Sequence, residues 1–263
     1  MATDQAAFAP TRNRIQQAAS LPQAVDVSAK KLRPASKALP TILKSLRNQV
    51  GAGINRYGLE SADFSVISND CWGQALYQEW GLPCKTPLAG SGMHAECFLR
   101  FLGDLPGYLS SPLRFIQTSR HPSVNRLRNR RQKWPMAVLR DEVEIHFLHY
   151  NTEEESRESW EAGCQNLNLD RLVVKFTIDK DGAQPAHITR FAELPFERKL
   201  LISERKLPGI DCAIQVPNYV INGAMMFRRS LRHFDCAHWL NTGEIRRQTP
   251  RVFLNKLLYA RGA

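Results

Sequence analysis

Cys71 follows the short apolar run Phe64–Ser68 by two polar residues, Asn69 and Asp70, and opens a helical pattern. A thiol in the first turn of a helix gains from the positive helix end, which stabilises its thiolate. Nucleophilic catalysis also needs a base beside the sulfur, usually an imidazole oriented by a third group. The chain offers His146 and His149, with His94 as a further imidazole, and Asn69, Asp70 or Glu144 to orient the ring. Read as a strand, Glu142–Tyr150 puts His146 and His149 on opposite faces, so one of them at most serves Cys71. The plainer alternative is a buried structural thiol and two histidines with ordinary hydrogen bonds.

Two further groupings carry chemistry. Asp179 and Asp181 stand just past the apolar run Arg171–Ile178. Such a pair would hold a divalent metal against a diphosphate and neutralise the leaving group; an Asp-x-Asp-Gly turn explains the same residues. The helix start Asn69–Gly73 offers free amides to a phosphate or carboxylate. The chain contains no GxGxxG, P-loop, GxSxG, HExxH or zinc-spaced motif, so those mechanisms lack their fingerprints.

The elements that must position these residues alternate. Phe64–Ser68 predicts a strand, and Cys71–Trp80 a helix, with Asn69 or Asp70 as N-cap and Gly81 as C-cap. Helices are predicted at Ile42–Tyr57, Ala95–Leu102, from a Thr152 cap to about Asn166, Pro185–Leu194, Gly223–Phe234 and Pro250–Tyr259. Strands are predicted at Glu142–Tyr150, Arg171–Ile178, Lys199–Ser203 and Ala213–Val216. This order gives an α/β class, a three-layer sandwich around a largely parallel or mixed central sheet. Residues 1–45 read as a flexible basic extension, in which Pro10, Pro22, Pro34 and Pro40 forbid a long helix, and 46–263 as a single α/β domain.

The chain has 263 residues, is 43% hydrophobic and carries 36 Lys and Arg against 25 Asp and Glu, a formal charge of +11. A large core is therefore expected, and the basic surplus favours phosphate-rich or anionic partners. Residues 114–140 hold eight basic residues and no acid. They read either as a solvated loop or as a strip facing phosphate or lipid. Between Phe115 and Trp134 it holds no Phe, Tyr or Trp among its charges, which disfavours nucleic acid. Six scattered cysteines without a CxxC, no secretory signal and no long apolar run predict a cytoplasmic protein, peripheral to the inner membrane if it meets lipid.

The segments FSVISNDCWGQALYQEWGLPCKTP, EVEIHFLHYNTEEESRESWEAGCQNLN, RLVVKFTIDKDG, FAELPFERKLLIS and FDCAHWLN fall in an order that resembles the bacterial family catalogued as domain of unknown function 1919, over about 64–240. Asp70 and Cys84 depart from it, standing where Asn and an aromatic residue are more typical. The resemblance marks Asn69, Cys71, Trp72, Gly73, Tyr77, His146, His149, Tyr150, Trp160 and Lys175 as signature positions, and implies a three-layer α/β protein of exopolysaccharide or capsule biosynthesis. The expectation that follows is a transferase using a nucleotide-activated or lipid-linked sugar. Asn69, Asp70, Gly73, Tyr77 and Lys175 would bind substrate, Asp179 and Asp181 a metal, and His146 or His149 would be the base. A Cys71–His acyl-transfer or hydrolytic enzyme, and a non-catalytic basic adaptor docking on anionic lipid through residues 1–50 and 114–140, are the alternatives.

Overall fold

The computed structural model describes residues 35–130, 133–219 and 223–259. The expected leader therefore lies outside the described residues as far as position 34.

Helix α1 (Ala35–Tyr57) leads to strand β1 (Ser65–Ser68), which turns through Asn69–Cys71 into α2 (Trp72–Trp80). Next come α3 (Ala95–Gly103), α4 (Leu105–Leu109), β2 (Arg114–Phe115), α5 (Pro122–Arg130), β3 (Met136–Leu139) and β4 (Val143–His146). Then follow α6 (Glu153–Gln165), β5 (Leu172–Thr177), α7 (Pro185–Glu193), β6 (Arg198–Ser203) and β7 (Ala213–Gln215). Helices α8 (Gly223–Ser230), α9 (Cys236–Thr242) and α10 (Pro250–Leu258) complete the described chain.

The α/β class holds, with its strands in two sheets. Strands β1, β5, β6 and β7 pair in that order, all parallel, while β2, β3 and β4 form a separate antiparallel sheet. The hairpin β3–β4 closes through Arg140 and Asp141, whose φ of 49° and 57° make the mirror-image turn that matches strand twist. Side chains of the parallel sheet alternate between two cores. Val174 and Phe176 of β5 pack on one face with α3, α7 and the second sheet, among Phe98, Phe191 and Ile145. Val173 packs on the other with Trp72, Phe227 and Trp239 of α2, α8 and α9. Lys175 and Thr177 share the period of Val173, so they face α2 inside the second core.

Three boundaries differ from the sequence reading. Pro40 lies within α1, giving up one helix hydrogen bond near the N-terminal end, so the expected boundary at 45 falls inside a helix. The strand predicted to Tyr150 ends at His146, because the chain turns there. The basic stretch 114–140 folds as β2, α5 and β3 with only residues 131 and 132 left undescribed. Among the described residues no helix is long and apolar enough to cross a membrane.

Helix α6 starts on the Thr152–Glu155 capping box and is pressed against the loop after α2. A Cβ on its Gly163 would lie 2.4 Å from the Pro87 Cα and 2.5 Å from the Thr86 carbonyl oxygen. Gly163→Ala should therefore cost about 1–3 kcal/mol in urea unfolding, since backbone on both sides must shift; an unchanged midpoint would contradict this packing.

Candidate active site

The elbow after β1 is built on a buried ion pair. Lys175 is fully buried and donates to Asp70 Oδ1 at 2.7 Å and to the Thr177 hydroxyl. The Trp72 and Tyr219 rings lie 6.0 and 5.3 Å from its ammonium. Asp70 accepts in addition from Ser68 Oγ and the Trp72 amide, each at 3.0 Å, and from Thr177 Oγ1 at 2.9 Å. Lys180 Nζ stands 3.6 Å from the second carboxylate oxygen. Burial alone would raise the Asp70 carboxyl, but Lys175 and Lys180 outweigh it and hold it well below the usual carboxylate range. Burial pulls Lys175 down to about 8, against the attraction of Asp70, so both remain charged at neutral pH.

Asn69 extends the β1–β5 ladder with its side chain. Its Oδ1 accepts the Thr177 amide at 2.9 Å and its Nδ2 donates to the Thr177 carbonyl at 3.2 Å. Asp70 satisfies the first amide of α2, and Cys71 occupies the N-cap position itself. Gly73 lets α2 sit on β1, with Val66 Cγ1 3.0 Å from where its Cβ would be. The Tyr77 hydroxyl is buried against the Val66 amide and the Phe64 carbonyl. Asn69, Asp70, Gly73, Tyr77 and Lys175, expected to bind substrate, are thus placed as the frame of the elbow.

Cys71 points outward from that frame, partly exposed. Its Sγ lies 3.3 Å from His149 Nε2 and 4.0 Å from the Ser91 carbonyl oxygen. His149 is exposed, and the pair is brought together by the segment 89–93. Met93 donates its amide to the Asn69 carbonyl at 3.0 Å, and Gly92 and His146 exchange amide hydrogen bonds of 2.8 and 2.9 Å. The His149 amide then donates to the Gly90 carbonyl at 3.1 Å, while Gly90 donates to Gln74 Oε1 of α2 at 2.9 Å. Gly90 has φ of 63°, and a Cβ there would meet the Tyr150 ring at 2.9 Å, so this stitch needs glycine.

His146 and His149 are therefore not two faces of one strand. The chain leaves β4 after His146, with the Leu148 amide donating to the His146 carbonyl, and His149 belongs to the loop. His146 is buried and faces Glu144 Oε2 at 3.5 Å, whereas the imidazole against the Cys71 sulfur is that of His149. Nearby, His94 and His121 stack at 3.7 Å, and His121 Nε2 lies 3.6 Å from Cys97 Sγ. Asp179 accepts the Glu204 amide at 2.6 Å, whereas Asp181 pairs with Lys180 at 3.3 Å. The two carboxylates serve different partners, and among the described residues no group of three His, Cys, Asp or Glu is set to hold a metal. Lys180, Ser91 and Thr177 escaped the sequence reading; the first stood in view between the two aspartates.

Burial, and after it Asp70, pushes the Cys71 thiol up to about 11, with Lys180 and Lys175 opposing. The resting pair is a neutral thiol hydrogen-bonded to an imidazole. Sulfur attack then requires His149 to take the proton as the new bond forms.

Two stability outcomes follow. Lys175→Met should lower unfolding free energy by about 3–5 kcal/mol, because Asp70 loses its buried partner. Adding Asp70→Asn should recover part of that loss in the same urea titration; no loss in the single variant would contradict the pairing. Burial depresses His94, and holds His121 down at about 4. The folded state thus binds fewer protons than the unfolded chain as pH falls below about 6.5. The melting temperature should drop steadily from pH 7 towards 4; a flat profile would contradict neutral, half-buried imidazoles.

The family profile for a domain of unknown function, DUF1919, matches residues 43–241. The chain is also 29% identical, over 161 residues, to a protein of Haemophilus influenzae strain Rd described as uncharacterized, a match covering 61% of this chain and 71% of that one. The profile spans the elbow, the stitching loop, His149 and the whole parallel sheet, and the chain belongs to the DUF1919 family.

Proposed function

We propose that this protein is a Cys–His thiol enzyme that transfers or hydrolyses an acyl group through a thioester on Cys71. The observation that carries the proposal is the 3.3 Å contact between Cys71 Sγ and His149 Nε2, at an accessible helix start beyond the end of a parallel strand. His149 removes the thiol proton while sulfur bonds to the substrate carbonyl carbon. The imidazolium then protonates the leaving group as its bond to carbon breaks. In the second half, His149 deprotonates water or an acceptor hydroxyl, which attacks the thioester and releases the thiol. The next amides of α2, those of Gly73 and Gln74, have no intrahelical acceptor and are the donors this mechanism assigns to the developing oxyanion. Lys180, whose charge acts on Cys71, offsets the opposing charge of Asp70.

The association of the family with exopolysaccharide and capsule biosynthesis, an expectation from the resemblance, is what supports hydroxyl-rich surface glycans or their precursors as acceptors or substrates. The sugar-transferase reading expects paired aspartates on a metal, and Asp179 and Asp181 are engaged separately. The thiol reading therefore carries the proposal.

Treatment with p-nitrophenyl acetate should give a burst of one nitrophenolate per chain and an acetyl group on Cys71 that hydroxylamine removes. His149→Ala should slow the burst about 100-fold or more, and Cys71→Ala should abolish it. Acetylation spread over lysines, or a burst intact in Cys71→Ala, would overturn the proposal.

A further inference from the structure

Helix α1 packs on the body of the protein only through its second half. Gly51 lies against the Tyr259 ring, and Asn55 and Asn255 exchange side-chain hydrogen bonds of 2.8 and 3.1 Å, so α1 and α10 run antiparallel. Helix α10 ends at Leu258, so residues before Gly51 run past its end. From Ile42 to Val50 every side chain except Asn48 is exposed. The part of α1 preceding Gly51 extends about 24 Å at 1.5 Å per residue.

This overhang is amphipathic. Ile42, Leu43, Leu46 and Val50 fall within about 100° of one another on the helix, and they are 55%, 47%, 51% and 51% exposed. On α10, Phe253 and Leu257 repeat the pattern at 62% and 59% exposure. Apolar stripes of this size mark an interaction surface. Charge decides the partner. Helix α1 contains four Lys or Arg and neither Asp nor Glu, and the whole chain carries +11. Pairing α1 with a second copy would set basic helix against basic helix. Residues 1–34 carry a basic excess as well, so they offer the overhang no net opposite charge.

We infer that the α1 overhang lies on an anionic membrane surface, with its apolar stripe in the acyl boundary and its basic residues among the head groups. It lies flat rather than crossing, since α1 is not apolar enough to span. The inference is independent of the chemistry at Cys71 and gives the lipid contact expected of residues 1–50 a definite helix face.

The full chain should cosediment with vesicles of one part phosphatidylglycerol to three parts phosphatidylcholine, and not with phosphatidylcholine alone. High salt should weaken that binding. Leu43→Glu with Leu46→Glu should cut the bound fraction about tenfold, and Arg47→Glu about fivefold. All three positions are exposed, so the melting temperature should stay unchanged. A dimer that the Leu43 and Leu46 changes dissociate would overturn the inference in favour of a second copy. A monomer that ignores anionic vesicles would overturn it in favour of a face covered by the chain itself.

Discussion

Lys175 has its ammonium in the middle of a hydrophobic core, and the rest of the site depends on how that charge is paired. A buried ion pair is favourable only if nearly every donor and acceptor is used. Asp70 meets that demand with Lys175, Thr177, Ser68 and the Trp72 amide around it. Satisfying all of them leaves the elbow no freedom. Strand β1 has to stop at Ser68, Asp70 has to turn inward, and the next side chain, Cys71, has to face out. The register of β1 on β5, with Ser68 opposite Lys175, is part of the same constraint.

The opposite partner arrives from elsewhere in the chain. The segment 89–93 bonds to the elbow with one edge and to the end of β4 with the other. His149 is thereby held over the thiol by backbone hydrogen bonds, and no carboxylate among the described residues orients it. Such a thiol is half-buried, close to its base and high in pKa, a combination suited to proton transfer during attack rather than to a standing thiolate. All six cysteines are unpaired, so Cys71 keeps its sulfur free.

Local pattern made much of this legible. The apolar run, polar elbow and helix around Cys71 were readable from side-chain period and capping residues, as were the Thr152 cap and the β5 run. The histidine was legible as one of two. The choice fell out of reach because the alternation of Val143, Ile145 and Phe147 continues past the point where the backbone turns to meet Gly90, a contact distant in sequence. Lys175 was expected as a substrate ligand through the family signature, and only the fold places Asp70 beside it. In residues 114–140 the density of charge hid the short apolar strand Met136–Leu139. The Asp179–Gly182 stretch is a turn, with φ of 54° at Asp181 and 71° at Gly182, and its lysine completes the elbow where its aspartates were expected to hold metal.

The central claim is that His149 governs the reactivity of Cys71. It is tested most directly by the rate at which iodoacetamide alkylates each cysteine, mapped by peptide mass across a pH series. In the native protein Cys71 should react at neutral pH despite its high pKa, and its rate should still be climbing as pH rises towards about 11. In His149→Ala the neutral-pH rate should fall at least about tenfold. A Cys71 that stays unlabelled while the exposed Cys84 reacts, or a rate indifferent to the loss of His149, would contradict the account.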